Sequence, residues 1–594
     1  MLLLMGGVAG CSPQPASGRA HPAIDSTVPS SSATSALKDK SVKAAPNFRL
    51  LDHLGRSHEL YRQKHAKAVV LFYTGNGCPI VRKSYRTLEK LRDEFAKKGV
   101  VFWLIDGNPQ DDRESVVAEA KEFSVALPIL LDTNQLVTTS LGVRRTAEAI
   151  AISTSDWSIF YRGAVDNRLG YGSEQLHDVQ PFLEDALNQF LAGDPIKTPH
   201  TEVKGCAITL ATDTPPATYT GKIAGLLEKH CVNCHRPGDI GPFAMTSYEK
   251  VRGWSSMIRE VLLEQRMPPW GADPHYGSFS NARGLSRGEA ADLVNWIDAG
   301  CPRGEGDDPL RSVATTDTPI WPLGEPDLII KIPEPQQVPA TGVLPYRHVS
   351  VPMPLDRDVW IRAAEVRPSN RKVVHHAFVF IKRAEDTGIS HLDPIRNGFF
   401  SAYVPNTRYT ILPENTGKLI PRGCTLVFQL HYTTTGREET DQTEIGLYLR
   451  KEKPPLELIS RAATKLSFEI PPGVEEYPLS AEYTFRRDAL LYHLSPHMHG
   501  RGKWMKFEAV YPDGRRETLL SVPYYEYDWQ HQYWLTEPKR LPAGSKIRVT
   551  GAFDNSANNP FNLDPKASVR FGLQTTDEMF MGYFHFANAP STSN

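Results

Sequence analysis

The chain has 594 residues, 40% of them hydrophobic, with 67 Lys+Arg against 68 Asp+Glu and a formal net charge of −1. A chain of this length buries several cores and divides into roughly three or four domains. The balanced charge excludes a sequence-independent electrostatic grip on nucleic acid, and after the first dozen residues no apolar run is long enough to span a bilayer.

Residues 1–11, MLLLMGGVAGC, are a short apolar stretch that reads as a targeting segment, although no Lys or Arg precedes it. Its end, Val8-Ala9-Gly10-Cys11, resembles the lipobox of bacterial lipoproteins. That resemblance implies lipidation at Cys11, membrane attachment through the lipid, and a place in the bacterial cell envelope on the periplasmic or outer face. Residues 12–44 are rich in Ser, Ala, Pro and Thr and read as a flexible linker.

Residues 45–195 read as an α/β domain. KAVVLFYTG (67–75), VVFWLIDG (100–107) and LPILLD (127–132) are strand patterns, and SYRTLEKLRDEFAKKG (84–99) and RESVVAEAKEF (113–123) are helical. Residues 147–163 read as a hairpin and 176–193 as a closing helix. Strands alternating with helices predict a mainly parallel, covered sheet. With GNGCPIVRKS (75–84) at the first strand-to-helix turn, the segment resembles the thioredoxin-like redoxin family. By that resemblance Cys78 holds the reactive position. Val81 stands where a C-x-x-C pair has its second cysteine, and Ala147 replaces the family's cis-proline. A cis bond to alanine costs about 3 kcal/mol, so a trans bond is expected there. Two readings stand: a redox-active Cys78, its thiol acidified by a helix N-terminus, or an inert scaffold in which Cys78 pairs structurally with Cys206.

After a linker (196–218), residues 219–305 carry His230-Cys231-Val232-Asn233-Cys234-His235, which contains the haem c attachment pattern C-x-x-C-H. Two thiols three residues apart bond the porphyrin vinyl groups, and the next histidine takes the iron. Met267, 32 residues beyond His235, is the expected sixth ligand, with Met245 and Met257 as alternatives. The segment resembles a small all-α class I cytochrome c. A second Cys pair at zinc-site spacing is absent.

Residues 306–325 are a Pro/Asp/Gly/Thr-rich linker, and beyond it short alternating runs broken by Pro and Gly predict two all-β sandwiches, 326–460 and 461–594. Five histidines and a methionine stand out there: His375, His376, His431, His497, His499 and Met579. Imidazole suits copper in both oxidation states, and a thioether favours Cu(I). Zinc competes for histidine but does not draw on methionine. In a strand, residues i and i+2 share a face, so His497 and His499 can grip one ion, whereas adjacent His375 and His376 need a bulge. His493 shares the 497/499 face.

VVHHAFVF (373–380), VFQLHYTTTG (427–436), SPHMHGRGKWM (495–505) and TTDEMFMGYF (575–584) occur in the order of the copper-binding segments they resemble. Those belong to the copper type II, ascorbate-dependent monooxygenases, the family of peptidylglycine alpha-hydroxylating and dopamine beta-monooxygenase. The resemblance implies jelly-roll-like lobes with one copper each, facing across a cleft. His375, His376 and His431 would hold the first ion, and His497, His499 and Met579 the second. Gln429 would orient the first site, and Tyr583 would lie near the substrate. The implied reaction is hydroxylation of a C–H bond of a small substrate with O2. Electrons would come from an external donor, through the haem or from ascorbate or another reductant. Ser495 occupies the position of the peptide-binding arginine, which disfavours a glycine-extended peptide. Two alternatives remain: a non-catalytic extracytoplasmic electron-transfer or copper-binding protein, and a thiol peroxidase-type redoxin with accessory metal domains. Cys301 and Cys424 either pair or stay free.

Overall fold

Seven consecutive buried residues, Ala68–Thr74, form the central strand of a five-stranded sheet. The computed structural model describes residues 43–210, 215–237, 239–313, 320–383, 399–404, 407 and 409–590. The targeting segment with Cys11, and the linker except its last two residues, lie outside the described residues. The sheet runs Ile129–Leu131, Val100–Asp106, Ala68–Thr74, Ala149–Ser153, Ile159–Gly163. The first three strands are parallel and the last two antiparallel, so the sheet is mixed rather than mainly parallel. The reason lies in the connection before Ala149. Its one helix, Leu136–Ser140, has five residues and rises about 7 Å, too little to carry the chain back along a strand about 23 Å long.

The two faces of the central strand enter different cores. Ala68, Val70 and Phe72 pack on Val81 and Leu88 of the helix Pro79–Phe95. Val69, Leu71 and Tyr73 pack into one core with Leu227, Leu262 and Trp296 of the central helical segment. That segment comprises helical turns from Tyr219 to Val232, then Tyr248–Gly253, Ser255–Leu263 and Arg287–Asp298. The last starts at a capping box of Ser286 and Glu289. The helices therefore share a core with the redoxin-like sheet and do not enclose one of their own.

Between these helices the chain crosses to the C-terminal β region. Asp273, its side chain fully buried, pairs with Arg113 at 2.7 Å and donates its N–H to the Ser521 carbonyl (2.8 Å). Ser278 and Ser280 then bond Thr536 and Trp534 along the strand Tyr533–Leu541. A sheet edge is covered in this way.

From Leu328 to Asn588 the described strands form two pairs of facing sheets. In the first pair, a six-stranded sheet around Val359–Arg367 shares a core with Arg347–Pro352, Thr425–Tyr432, Val374–Lys382 and Phe399–Tyr403. In the second, Ile459–Lys465, Phe580–Asn588, Ala489–His497 and Tyr533–Leu541 face Tyr477–Thr484, Lys546–Phe553, Gly502–Val510 and Arg516–Val522. The pairs meet directly: Phe378, Phe380 and Phe399 pack against Met579, Met581 and Tyr583. Aromatic side chains from both halves fill this part of the boundary between them.

Polar groups are buried beside this seam. Lys418 Nζ donates to the Phe400 carbonyl (2.9 Å) and lies 3.4 Å from His585 Nε2, while His585 Nδ1 meets Ser460 Oγ at 3.0 Å. His493 stacks on His585 at 4.3 Å, and neither of its ring nitrogens has a partner among the described residues. Burial pulls the Lys418 ammonium down from 10.5 to about 7 and lowers both imidazoles. With a depressed folded-state pKa, Lys418 contributes stability that is complete above about pH 10.5 and lost as pH falls to about 7. One such proton gives a slope of at most about 1.4 kcal/mol per pH unit. Urea unfolding between these pH values is expected to show a rise in stability of roughly 1 kcal/mol per unit, and Lys418→Met to flatten it.

Candidate functional site

The strands Val374–Lys382 and Thr425–Tyr432 pair antiparallel, with His376 opposite His431 and a register shift between Val374 and His376. This is the irregularity adjacent histidines need to face one point. The Nδ1 atoms of His375 and His376 are 3.2 Å apart, and His375, His376 and His431 each offer a nitrogen within 4.8 Å of the others. Two nitrogens bound tetrahedrally at 2.0–2.1 Å to one ion would sit about 3.3 Å apart. His375 Nε2 reaches Asp528 Oδ1 (3.2 Å), and Tyr527 OH lies 3.2 Å from His431 Nδ1. His376 Nε2 is buried without a partner among the described residues.

The second set departs from the expected strand face. The strand Ala489–His497 ends at His497, so His499 lies beyond it. The two rings still come together, 5.4 Å apart at 85°. Each Nδ1 is held: His497 by Gln530 Oε1 (2.8 Å), His499 by the Asp577 carbonyl (3.0 Å). Among the described residues, His499 Nε2 has no partner. Glu578 accepts the N–H groups of His499 (2.8 Å) and Arg501 (2.7 Å). Burial raises its carboxyl to about 8. Met579 follows, buried, at the head of the strand Phe580–Asn588, whose Met581 lies opposite His497.

Burial disfavours the imidazolium form at four of these rings. His376 is held well below its ordinary value, His431 at about 2, His497 at about 3 and His499 at about 4. Neutral rings keep a lone pair, which a metal ion requires. The two sets adjoin. The Tyr346 ring lies 5.3 Å from His376, 4.7 Å from His431 and 5.7 Å from His499, and its hydroxyl meets Tyr527 OH at 2.9 Å. The buried, neutral nitrogens of His376, His431, His497 and His499 are of the kind copper takes, and Met579, buried in one cluster with Met581 and Tyr583, offers a soft sulfur. Gln429 donates to His348 Nε2 (3.1 Å), and Tyr583 stacks near Phe399 (5.3 Å) and His497 (6.2 Å). Tyr346, Tyr527 and Gln530 were not singled out by the sequence reading. Two of them lie in YYEYDWQHQYW (524–534), whose aromatic and histidine density was the available signal.

In the C-x-x-C-H motif, Cys231 lies in the helical turn Glu228–Val232, and both cysteines are half-buried and outside any disulfide. Burial and the neighbouring Cys234 push the Cys231 thiol up to about 12. His235 is buried, and its Nδ1 meets the Phe243 carbonyl at 3.0 Å, which leaves Nε2 to face outward from that bond. Two thiols and an oriented imidazole fit a covalent haem. Met267 is half-buried beyond the helix Ser255–Leu263, before a cis bond to Pro268. Met245 is buried and donates its N–H to the His235 carbonyl (2.7 Å), while Met257 is exposed. A cleft of about 580 Å³ separates this loop from the first histidine set, lined by Gly241, Phe243, His375, Asp528 and Trp529. Arg371 spans it to Asp239 at 3.5 Å.

Cys78 caps the helix Pro79–Phe95, and its Sγ lies 3.1 Å from Cys206 Sγ. Burial acts to raise its pKa. Hydrogen bonds from Thr146, the Val81 N–H and Cys206 outweigh burial and hold it below the ordinary value. Ala147 takes a φ of +62°, and the cis bond noted among the described residues is Met267–Pro268. Cys301 and Cys424 are free, in separate cores.

The AhpC/TSA family model matches residues 42–163. This segment is a thioredoxin-like redoxin domain. A hypothetical protein of Sinorhizobium meliloti is 25% identical over 28% of this chain and 93% of its own (TM-score 0.26). An uncharacterized conserved protein of Geobacillus kaustophilus is 27% identical over 30% and 93% (TM-score 0.26). Peroxidoxin BcpB of Mycobacterium tuberculosis is 19% identical over 25% and 92% (TM-score 0.19). No curated protein matches the chain.

Gln530→Leu removes the contact that orients His497. Copper affinity at the second site is expected to fall roughly 10–100-fold, read by competition with a chromophoric Cu(I) chelator, with the first site unchanged.

Proposed function

We propose that the chain is a multidomain oxidoreductase whose β region holds two copper ions and whose helical segment holds one covalent haem c, acting as a monooxygenase on a C–H bond of a small substrate. The observation that carries the reading is the convergence of five histidines on one seam, four of them buried and held neutral. Three of them lie within ligand distance of a common point. Copper held there would cycle between two oxidation states and supply O2-dependent hydroxylation.

The residues' own contributions follow from their contacts. The Nδ1 bonds of His497 and His499 fix ring orientation, and a ring held in place loses less entropy on binding. Phe378, Met581 and Tyr583 exclude water. Dry surroundings strengthen every electrostatic contact made inside them. The cleft between Phe243 and His375 supports electron delivery from the haem segment to the first histidine set, with ascorbate or another external donor as the alternative source. The redoxin domain agrees with oxidoreductase chemistry generally. Attachment to the cell envelope through Cys11 completes the proposal.

Metal and haem analysis of the purified chain tests it. Two coppers and one haem are expected, with His499→Ala losing one copper and Cys231→Ala losing covalent haem. Zero or one copper in the intact protein overturns the reading. Copper-dependent oxygen consumption across candidate C–H substrates then separates a monooxygenase from an electron-transfer protein.

A further inference from the structure

Val81 leaves Cys78 without a local partner, yet the fold supplies one from 128 residues away. Residues 205–208 lie antiparallel along 144–146. Thr146 N–H donates to the Cys206 carbonyl (2.9 Å), Ile208 N–H to the Arg144 carbonyl (2.9 Å), and Arg145 and Ala207 form a bridge. The Thr146 hydroxyl accepts the Cys206 N–H at 2.9 Å and lies 3.2 Å from Cys78 Sγ. Gly205 permits this approach, since a Cβ there would stand 1.8 Å from the Thr146 carbonyl oxygen. Cys78 is buried at 3% exposure, whereas Cys206 is exposed. Cys206 lies outside the region matched by the family model.

We propose that Cys78 and Cys206 form a reversible two-electron dithiol/disulfide couple that exchanges with an external organic disulfide, with exposed Cys206 as the entry sulfur. The couple is independent of the copper and haem reading. In the reduced pair Cys206 S–H donates to Cys78 sulfur. The Cys78 thiol is held below its ordinary value and that of Cys206 above, first by burial and then by Cys78 beside it. Cys206 passes its proton to Cys78 and attacks one sulfur of R–S–S–R. The first RS⁻ leaves. Cys78 then releases the proton to that thiolate and attacks Cys206 sulfur in the mixed disulfide, expelling the second RS⁻. The Cys78–Cys206 bond has formed, the R–S–S–R bond has broken, and two electrons have passed to the external disulfide.

The full-length protein, reduced and then equilibrated in buffers of graded oxidised-to-reduced glutathione ratio, is quenched with acid, alkylated and read by peptide mass. The expected result is joint loss of alkylation at Cys78 and Cys206, a cross-linked peptide pair, and full recovery on adding dithiothreitol to the folded protein. Cys78→Ser is expected to accumulate a glutathione adduct on Cys206, and Cys206→Ser to leave Cys78 unmodified. Continued alkylation of both thiols in the oxidised wild type overturns the couple. So does a cross-link that dithiothreitol reduces only after unfolding, which marks a structural disulfide. An adduct on Cys78 in Cys206→Ser overturns the entry assignment.

Discussion

Burying imidazole rings with few hydrogen-bond partners is the constraint on which the β region depends. Each unmade hydrogen bond in a dry site costs about 1–3 kcal/mol. His376 and His499 each carry such a nitrogen, and His493 carries two. His499 is tied at its other nitrogen to the Asp577 carbonyl, the neighbouring rings of His497 and His431 are tied to Gln530 and Tyr527, and His493 rests on its stack with His585. The open nitrogens of the two ligand sets lie around Tyr346, whose ring touches members of both. A core optimised only for stability would have put hydrocarbon there. The buried carboxyl of Glu578, bonded to two backbone N–H groups on the His499 turn, shows the same ordering of priorities.

Backbone irregularities deliver these rings. A regular strand would send His375 and His376 to opposite faces, and the register shift before His376 removes that conflict. Where the second strand ends, His499 leaves the ladder, and the turn that carries it is fastened by Glu578. The segment from Asp273 to Ser280 covers the edge strand Tyr533–Leu541, which follows the Tyr527–Gln530 stretch contacting both histidine sets. The Arg113–Asp273 pair anchors this segment to the redoxin domain.

Much of the α/β domain was legible because continuous apolar runs and helical patterns are local, as in Ala68–Thr74 and Pro79–Phe95. The hairpin within 147–163 was legible too, but its antiparallel pairing onto Ala68–Thr74 was not, since that turns on the length of one short helix. The histidine pairs were legible as residue types at telling spacings. The packed seam was not, because it depends on how Phe378 and Phe399 meet Met581 and Tyr583 across 200 residues of sequence. The same holds for Tyr346 and Gln530, which become visible only once distant segments are juxtaposed.

The division into modules that the linkers suggest is a division of sequence more than of mechanics. The strand Ala68–Thr74 has two hydrophobic faces, and one of them has no cover from its own domain beyond short segments such as Leu136–Ser140. Leu227, Leu262 and Trp296 complete that cover. A redoxin domain cut off at residue 195 would expose Val69, Leu71 and Tyr73 and would lose Cys206 as well. The apolar burial that joins the helices to the sheet is worth about 25 cal/mol per Å², and it is spread over many side chains. The thiol pair, the C-x-x-C-H loop and the first histidine set are thus held on one body, with the spacing between the last two fixed by the cleft that Arg371 and Asp239 close at 3.5 Å.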